Sequence, residues 1–292
     1  MMDAALAKAV ADSLGRRILS SRAVAGGDIN LAFEATLEGG DRVFVKTHPD
    51  APREMFRTEA RGLAWLAEAR ALRVPKVLAV SETGSEGPSF LVLEYLVPGA
   101  RERAFDETLG RGLAAVHRHG ASSFGLDHDN FIGSLPQKNE ARPTWAAFYR
   151  DQRLQAQLRR AVDRNLIGRP LALEFARLFD RLESLVGPPE LPSRLHGDLW
   201  GGNVHVDDRG LPCLIDPAAY GGHREIDLAM MRLFGGFGAR VFDAYGEAWP
   251  LADGHERRIP LYQLYPLLVH VNLFGGSYVN QTERALDRAM SA

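Results

Sequence analysis

The chain has one cysteine, Cys213, among its 292 residues. An internal disulfide is therefore impossible, and so is a cysteine-based metal cluster. Such usage suits a reducing compartment, and the cytoplasm is the expected location. No apolar run approaches the roughly 20 residues that cross a bilayer. Neither sign of charge dominates: 35 Lys and Arg face 37 Asp and Glu, a formal net charge of −2. That balance predicts no nucleic-acid partner and no membrane partner. Met1 to Leu14 lacks the basic and apolar blocks of an export signal. It reads instead as an amphipathic helix capped by Asp3, with Leu6, Val10 and Leu14 on one face and Gly15 as its stop. Internal repeats and low-complexity tracts are missing as well. The remainder is ordinary for a globular protein and long enough for a sizeable core and one or two domains.

What the chain does carry is concentrated in Leu195-His196-Gly197-Asp198-Leu199-Trp200-Gly201-Gly202-Asn203, followed by Leu214-Ile215-Asp216. D-x-x-x-x-N followed by a further D is the arrangement that phosphoryl transfer from ATP requires. Asp198 is the expected catalytic base, accepting the proton of an attacking hydroxyl. Asn203 and Asp216 are the expected ligands of Mg2+, which bridges the phosphates. Val204 to Val206 and Pro212 to Ile215 read as two strands around a tight turn at Asp207 to Gly210. That hairpin would deliver Asn203 from its start and Asp216 from its end to one metal site. Oxygen donors favour magnesium over zinc, despite the nearby His196 and His205. Alone, the first motif would also suit a glycine-rich turn with incidental carboxylates. The flanking HGD, WGGN and I-D together point to a kinase.

The opening third of the chain supports this. Arg17 to Val24, Leu31 to Leu37 and Val43 to Lys46 read as strands, with a glycine turn at Gly26-Gly27 between the first two. Strand, glycine turn, strand, turn, strand with a central lysine is how a kinase-like N-lobe begins. Gly26 and Gly27 would let backbone N–H groups approach ATP phosphates, although a plain hairpin has the same letters. Pro52 to Ala71 reads as a helix with Phe56, Leu63 and Leu66 as its apolar stripe. Glu59 falls inside that stripe. A carboxylate facing a core needs a partner, and Lys46 is the expected one. The pair would hold the lysine toward the α- and β-phosphates. Val74 to Val80 reads as a strand, and so does the almost continuously apolar Phe90 to Leu96. In kinase-like folds such a strand runs into the hinge. Glu94, Tyr95 and Leu96 are therefore expected to border the adenine, although a core strand ending in a solvent turn would read alike.

HGDLWGGN, followed by Ile215-Asp216-Pro217-Ala218 and Gly222-His223-Arg224-Glu225, resembles the fructosamine kinase (ketosamine-3-kinase) family. The resemblance extends to Asp28 and Asn30 in a GGG-x-x-N-like turn, the FG-x-D…G-x-x-PQ stretch from Phe124 to Gln137, Trp145-x-x-Phe148-Tyr149, and Leu233 to Phe237. It implies an α+β, two-lobed protein-kinase-like fold. A small antiparallel β N-lobe (1–96) would bind nucleotide, and a mostly helical C-lobe (97–292) would hold the catalytic and acceptor sites. The implied activity is ATP-dependent phosphorylation of the C3 hydroxyl of ketosamines, free or on glycated proteins, leading to deglycation. Alternatives are another small-molecule kinase of this fold, of aminoglycoside or choline type, or a dead nucleotide-binding protein. The presence of Lys46, Glu59, Asp198, Asn203 and Asp216 disfavours the last. Some relatives place a cysteine in the glycine turn; Ala25 to Asn30 has none.

The remaining segments read as structure. Phe124 to Gln137 is expected to be a long loop, placed near the acceptor by the resemblance. Thr144 should cap a helix, and Pro170 to Val186 should be a core helix. Tyr220 to Glu225 should be a short loop. His117 should be packed, Cys213 buried and inert, and Asp227 engaged with backbone N–H groups near a helix start. The helices through Trp249, Tyr262, Tyr265, Leu268, Val271 and Leu273 should carry no chemistry of their own.

Overall fold

A computed structural model of the protein describes residues 1–24, 30–52, 54–81 and 87–291. Helix α1 (Ala4–Leu14) precedes strands β1 (Ile18–Val24), β2 (Leu31–Leu37) and β3 (Arg42–Thr47). Helix α2 (Met55–Ala67) and strands β4 (Val77–Val80) and β5 (Phe90–Glu94) follow. The five strands form one antiparallel sheet in the order β1-β2-β3-β5-β4. Asp3 accepts a hydrogen bond from Leu6 N and caps α1 as expected, and Gly15 ends it with φ of 63°. Helix α2 is shorter than its apolar pattern suggested, and the left-handed Arg70, with φ of 51°, lies just beyond its end.

Alternation along β5 explains both its apolar run and the placing of Lys46. Phe90 and Val92 pack with Leu6 and Val10 of α1 on one face. Leu91 and Leu93 pack with Phe56 and Leu63 of α2 on the other. Successive strand residues point to opposite faces, so a strand covered on both sides must be apolar throughout. Lys46 of β3 is in register with Leu91 and with Ala32. It therefore projects from the α2 face, where Glu59 waits.

The rest of the chain comprises α3 (Phe105–His119), β6 (Asn130–Ile132), β7 (Leu135–Gln137), α4 (Trp145–Phe148), a π-helical turn (Tyr149–Leu154), α5 (Gln155–Asp163) and α6 (Arg169–Leu185). Then come β8 (Ser193–Leu195), β9 (Val204–Val206), β10 (Pro212–Leu214), β11 (Tyr220–Gly222), α7 (Glu225–Phe234), α8 (Ala239–Ala248), α9 (His255–Phe274) and α10 (Ser277–Ser291). Thr144 caps α4 by accepting from Ala147 N. No helix among the described residues is long and apolar enough to cross a membrane.

Three expectations change. The stretch expected to be a loop up to Gln137 contains the β6–β7 hairpin, and Tyr220 to Gly222 is a strand paired with β8. Three-residue strands are too short to show a period of two, so the sequence carries no strand signal there. Helix α6 covers the core rather than lying within it. It buries Phe175, Leu178 and Leu182 but leaves Leu173 52% exposed.

Candidate active site

The HGD segment turns sharply after β8. Gly197 has φ of 82°, and a Cβ there would run into the carbonyl of Ala218. Glycine thus lets two backbone segments touch directly, as no other residue could. Beyond it, Asn203 closes a short 3-10 turn and donates Nδ2 to Asp198 O at 2.8 Å and Asp198 Oδ2 at 3.1 Å. The β9–β10 hairpin then returns the chain to Asp216, which adopts φ of 54°. Lys46 Nζ lies 2.7 Å from Glu59 Oε1 and 3.0 Å from Asp216 Oδ1. Lys46, Glu59, Asp198, Asn203 and Asp216 are therefore one cluster, drawn from both lobes.

Burial pulls the Lys46 pKa down; the carboxylates of Asp216 and Glu59 outweigh that and hold it above the ordinary value. The Asp198 carboxyl is pushed up to about 7, first by burial and then by the neighbouring Asp216. Since the Asn203 amide nitrogen is committed to Asp198, its carbonyl oxygen remains as a donor atom. That oxygen and the Asp216 carboxylate form an all-oxygen pair. Magnesium suits such a pair, since it usually takes few protein ligands and keeps several waters.

A buried layer braces the loop. Asp227 accepts from His196 N at 2.8 Å and Gly197 N at 2.9 Å, and lies 3.1 Å from His117 Nε2. Burial would raise its pKa, but the His117 hydrogen bond and neighbouring charges outweigh it and hold the value low. The expected bonding to backbone N–H groups is present, but those groups belong to the HGD loop and not to its own helix. His196 accepts from Asp198 N through Nδ1, so its Nε2–H donates to Ile215 O at 2.8 Å. One imidazole thereby ties the loop bearing Asp198 to the segment that leads from β10 into Asp216.

The adenine-side expectations fare differently. Gly26 and Gly27 lie outside the described residues. The Glu94 carboxylate pairs with Arg73 and accepts from Lys76 N at 3.0 Å. The Tyr95 ring lies against the Arg42 guanidinium, 4.5 Å from its centroid, and Leu96 is buried. None of the three lines the cavity over the cluster, which is walled on the sheet side by Ala32, Phe44 and Lys46. Their side chains brace the end of β5, where the Glu94 N–H is itself taken by Lys76 O at 2.9 Å.

The cavity, about 480 Å³, also has a wall that sequence reasoning missed. Trp200, Phe131 and Phe234 line it, with His270 and Phe274 of α9 and Tyr278 of α10. His270 lies at the centre of this group, 4.4 Å from Phe234 and 4.9 Å from Tyr278 between ring centroids. Burial lowers its pKa, and Nδ1 bonds Pro266 O at 2.8 Å, so neutral Nε2 is an acceptor. The C-terminal helices were expected to carry no chemistry, since aromatics at helical spacing read as core. The available signal was their position beside Gly235-Gly236 and Gly275-Gly276, where helices stop and side chains reach a cleft.

Cys213 is fully buried in β10, and burial pushes its thiol up to about 12. A thiol rather than thiolate is unreactive. Activity is therefore expected to be indifferent to mild oxidants and to reductants. Reversible inactivation by peroxide that disappears in Cys213→Ser would contradict this.

The sequence profile of the fructosamine kinase family matches residues 2–292. The chain is 39% identical over 272 residues to the chloroplastic protein-ribulosamine 3-kinase of Arabidopsis thaliana, spanning 90% of this chain and 80% of that one. A crystal structure from Thermobifida fusca, provisionally assigned as a fructosamine-3-kinase, superposes with a TM-score of 0.90 at 40% identity. That superposition covers 98% of this chain and 99% of the other. Aminoglycoside phosphotransferase APH(4)-Ia shares the fold alone, at 18% identity and a TM-score of 0.63 over 98% of this chain and 97% of its own. The chain belongs to the fructosamine kinase family and has the α+β, two-lobed architecture of protein-kinase-like phosphotransferases.

Proposed function

We propose that the protein phosphorylates the C3 hydroxyl of ketosamines with ATP. The carrying observation is the Asp198 carboxylate at the junction of the Lys46–Glu59–Asp216 cluster and the aromatic wall. Residues 1–96 would bind nucleotide, and residues 97–292 would supply base and acceptor site. Asp198 takes the proton from the C3 hydroxyl as that oxygen bonds to the γ-phosphorus and ADP leaves. Lys46, fixed by Glu59, faces the phosphates. Asn203 and Asp216 would hold Mg2+, which neutralises phosphate charge when bound. The substrates would be small ketosamines or glycated proteins, in a reducing compartment such as the cytoplasm.

The cavity lining separates some acceptors. Beyond the catalytic cluster its described wall carries mostly aromatic and aliphatic side chains, with the neutral Asn30, Thr58 and Asn130, and no further carboxylate. A polycationic aminoglycoside would have little to pair with there. Choline would find ring faces, so it belongs in the test panel.

Product chemistry completes the reading. A ketosamine has its amine on C1, its carbonyl on C2 and the new phosphate on C3. Loss of a C1 proton gives the enol, and the C3–O bond then breaks with release of inorganic phosphate. The resulting unsaturated adduct releases its amine by hydrolysis, so one kinase site suffices for deglycation. Expected with ribulose- or fructose-modified lysine is ATP consumption, followed by slower appearance of free lysine and phosphate. Choline, aminoglycosides and unmodified sugars should give little turnover. Phosphorylation of one of these but not of ketosamines would overturn the substrate assignment.

A further inference from the structure

The PQ pair that ends the β6–β7 hairpin has no part in the chemistry above, yet it reaches the segment behind Asp216. Gln137 is 1% exposed and all its polar atoms are engaged. Nε2 donates to Ala218 O at 3.0 Å and to Asn130 Oδ1 at 2.8 Å, while Oε1 accepts from Tyr265 Oη at 2.6 Å. Asn130, also buried but at the edge of the cavity, donates Nδ2 to Ala219 O at 2.9 Å. Behind them Asn139 donates to Asn130 Oδ1 at 2.8 Å and accepts from the buried Arg153 at 2.7 Å. Two consecutive carbonyls, just after Asp216, are thus each held by a carboxamide whose own orientation is fixed.

Asp216 sits in the left-handed region, which a non-glycine residue keeps only where its surroundings impose it. The Ala218 carbonyl is also the group against which Gly197 packs, immediately before Asp198. Movement of that carbonyl would disturb the Asp216 side chain and the Asp198 loop together. We propose that Gln137 and Asn130 are positioning residues that hold the Asp216–Ala219 segment so that the Asp216 carboxylate faces the metal. This rests on the reading of Asp216 as a magnesium ligand.

The test is ADP binding by calorimetry across a Mg2+ titration, on the full-length protein. Gln137→Met keeps length and removes both donors and the acceptor. It should raise the Mg2+ concentration for half-maximal binding about 10–100-fold, as loss of a partner that orients a metal ligand does. Affinity for ADP without Mg2+ should stay within about twofold, because a positioning effect acts only through the metal. Asn130→Asp exchanges the donor to Ala219 O for an oxygen. Its added charge would by itself tighten Mg2+ binding, so weaker binding would report lost positioning. Leu182→Ala, on the buried face of α6, should lower Tm without moving the Mg2+ midpoint. Should Gln137→Met fail to fold, Tyr265→Phe, which releases Gln137 Oε1 and keeps the ring, should move the midpoint in the same direction. Folded Gln137 and Asn130 variants with wild-type midpoints would overturn the proposal, as would an equal loss of metal-free ADP affinity. If Asp216→Ala itself leaves the midpoint unmoved, the metal reading fails and this proposal fails with it.

Discussion

Asp198→Asn is expected to bind ATP as the parent does and to lose about 10²–10⁴ in kcat, the usual range for a general base. The substitution is isosteric, and a rotated carboxamide still offers an oxygen to Asn203 Nδ2, which lies 3.1 Å from Asp198 Oδ2. The loop should therefore keep its shape. What the amide lacks is a site for the acceptor's proton. A loss at the low end remains consistent, because dissociative phosphoryl transfer needs limited help from a base. Near wild-type turnover would remove Asp198 from this role. The pH profile supplies a second measurement. Burial and Asp216 push Asp198 up to about 7, and a base works only when deprotonated. Activity should therefore fall as pH drops through an acid limb. A cation neutralising Asp216 removes the second of those causes, so the limb should lie at or below about 7. In Asp198→Asn that limb should be absent.

Asp216→Ala is expected to weaken magnesium-dependent ATP binding more severely than Asn203→Ala. The loss should exceed the roughly 10–100-fold seen when only an outer partner of a metal ligand is removed. A carboxylate attracts the magnesium cation by its charge in a way a neutral amide cannot. Asp216 also holds Lys46 at 3.0 Å, so its removal leaves Glu59 as the lysine's carboxylate partner. Coincident Mg2+ titration curves for wild type and Asp216→Ala would contradict the assignment. A greater loss in Asn203→Ala would reverse the proposed ranking of the two ligands.

The parts of this site legible in the sequence are those set by short spacing or by a conflict. Asp198 and Asn203 share one tight loop, so five residues of sequence already imply their proximity. Glu59 conflicts with its apolar stripe, and that conflict pointed across the chain to Lys46. Illegible were the features created only when distant segments meet. Nothing local says that Asp227 turns to the N–H groups of His196 and Gly197, because its own helix start offers equivalent donors. Glu94 follows an apolar strand and fits a hinge by order, but Arg73 and Lys76 N claim its carboxylate. Nor does periodicity distinguish Phe274 at a cleft from Tyr265 in the core, since both occupy one helix.

Apart from Trp200, the aromatic wall and the proposed phosphate machinery come from different stretches of chain. The proposed machinery comprises Lys46, Glu59 and the run from His196 to Asp216; most of the wall lies on α7, α9 and α10. On the proposed reading, heritable change in those last helices can alter which alcohol is admitted while leaving base and metal ligands alone. A lineage built this way can explore new acceptors by drift at the rim, and each intermediate along that path would remain a working kinase.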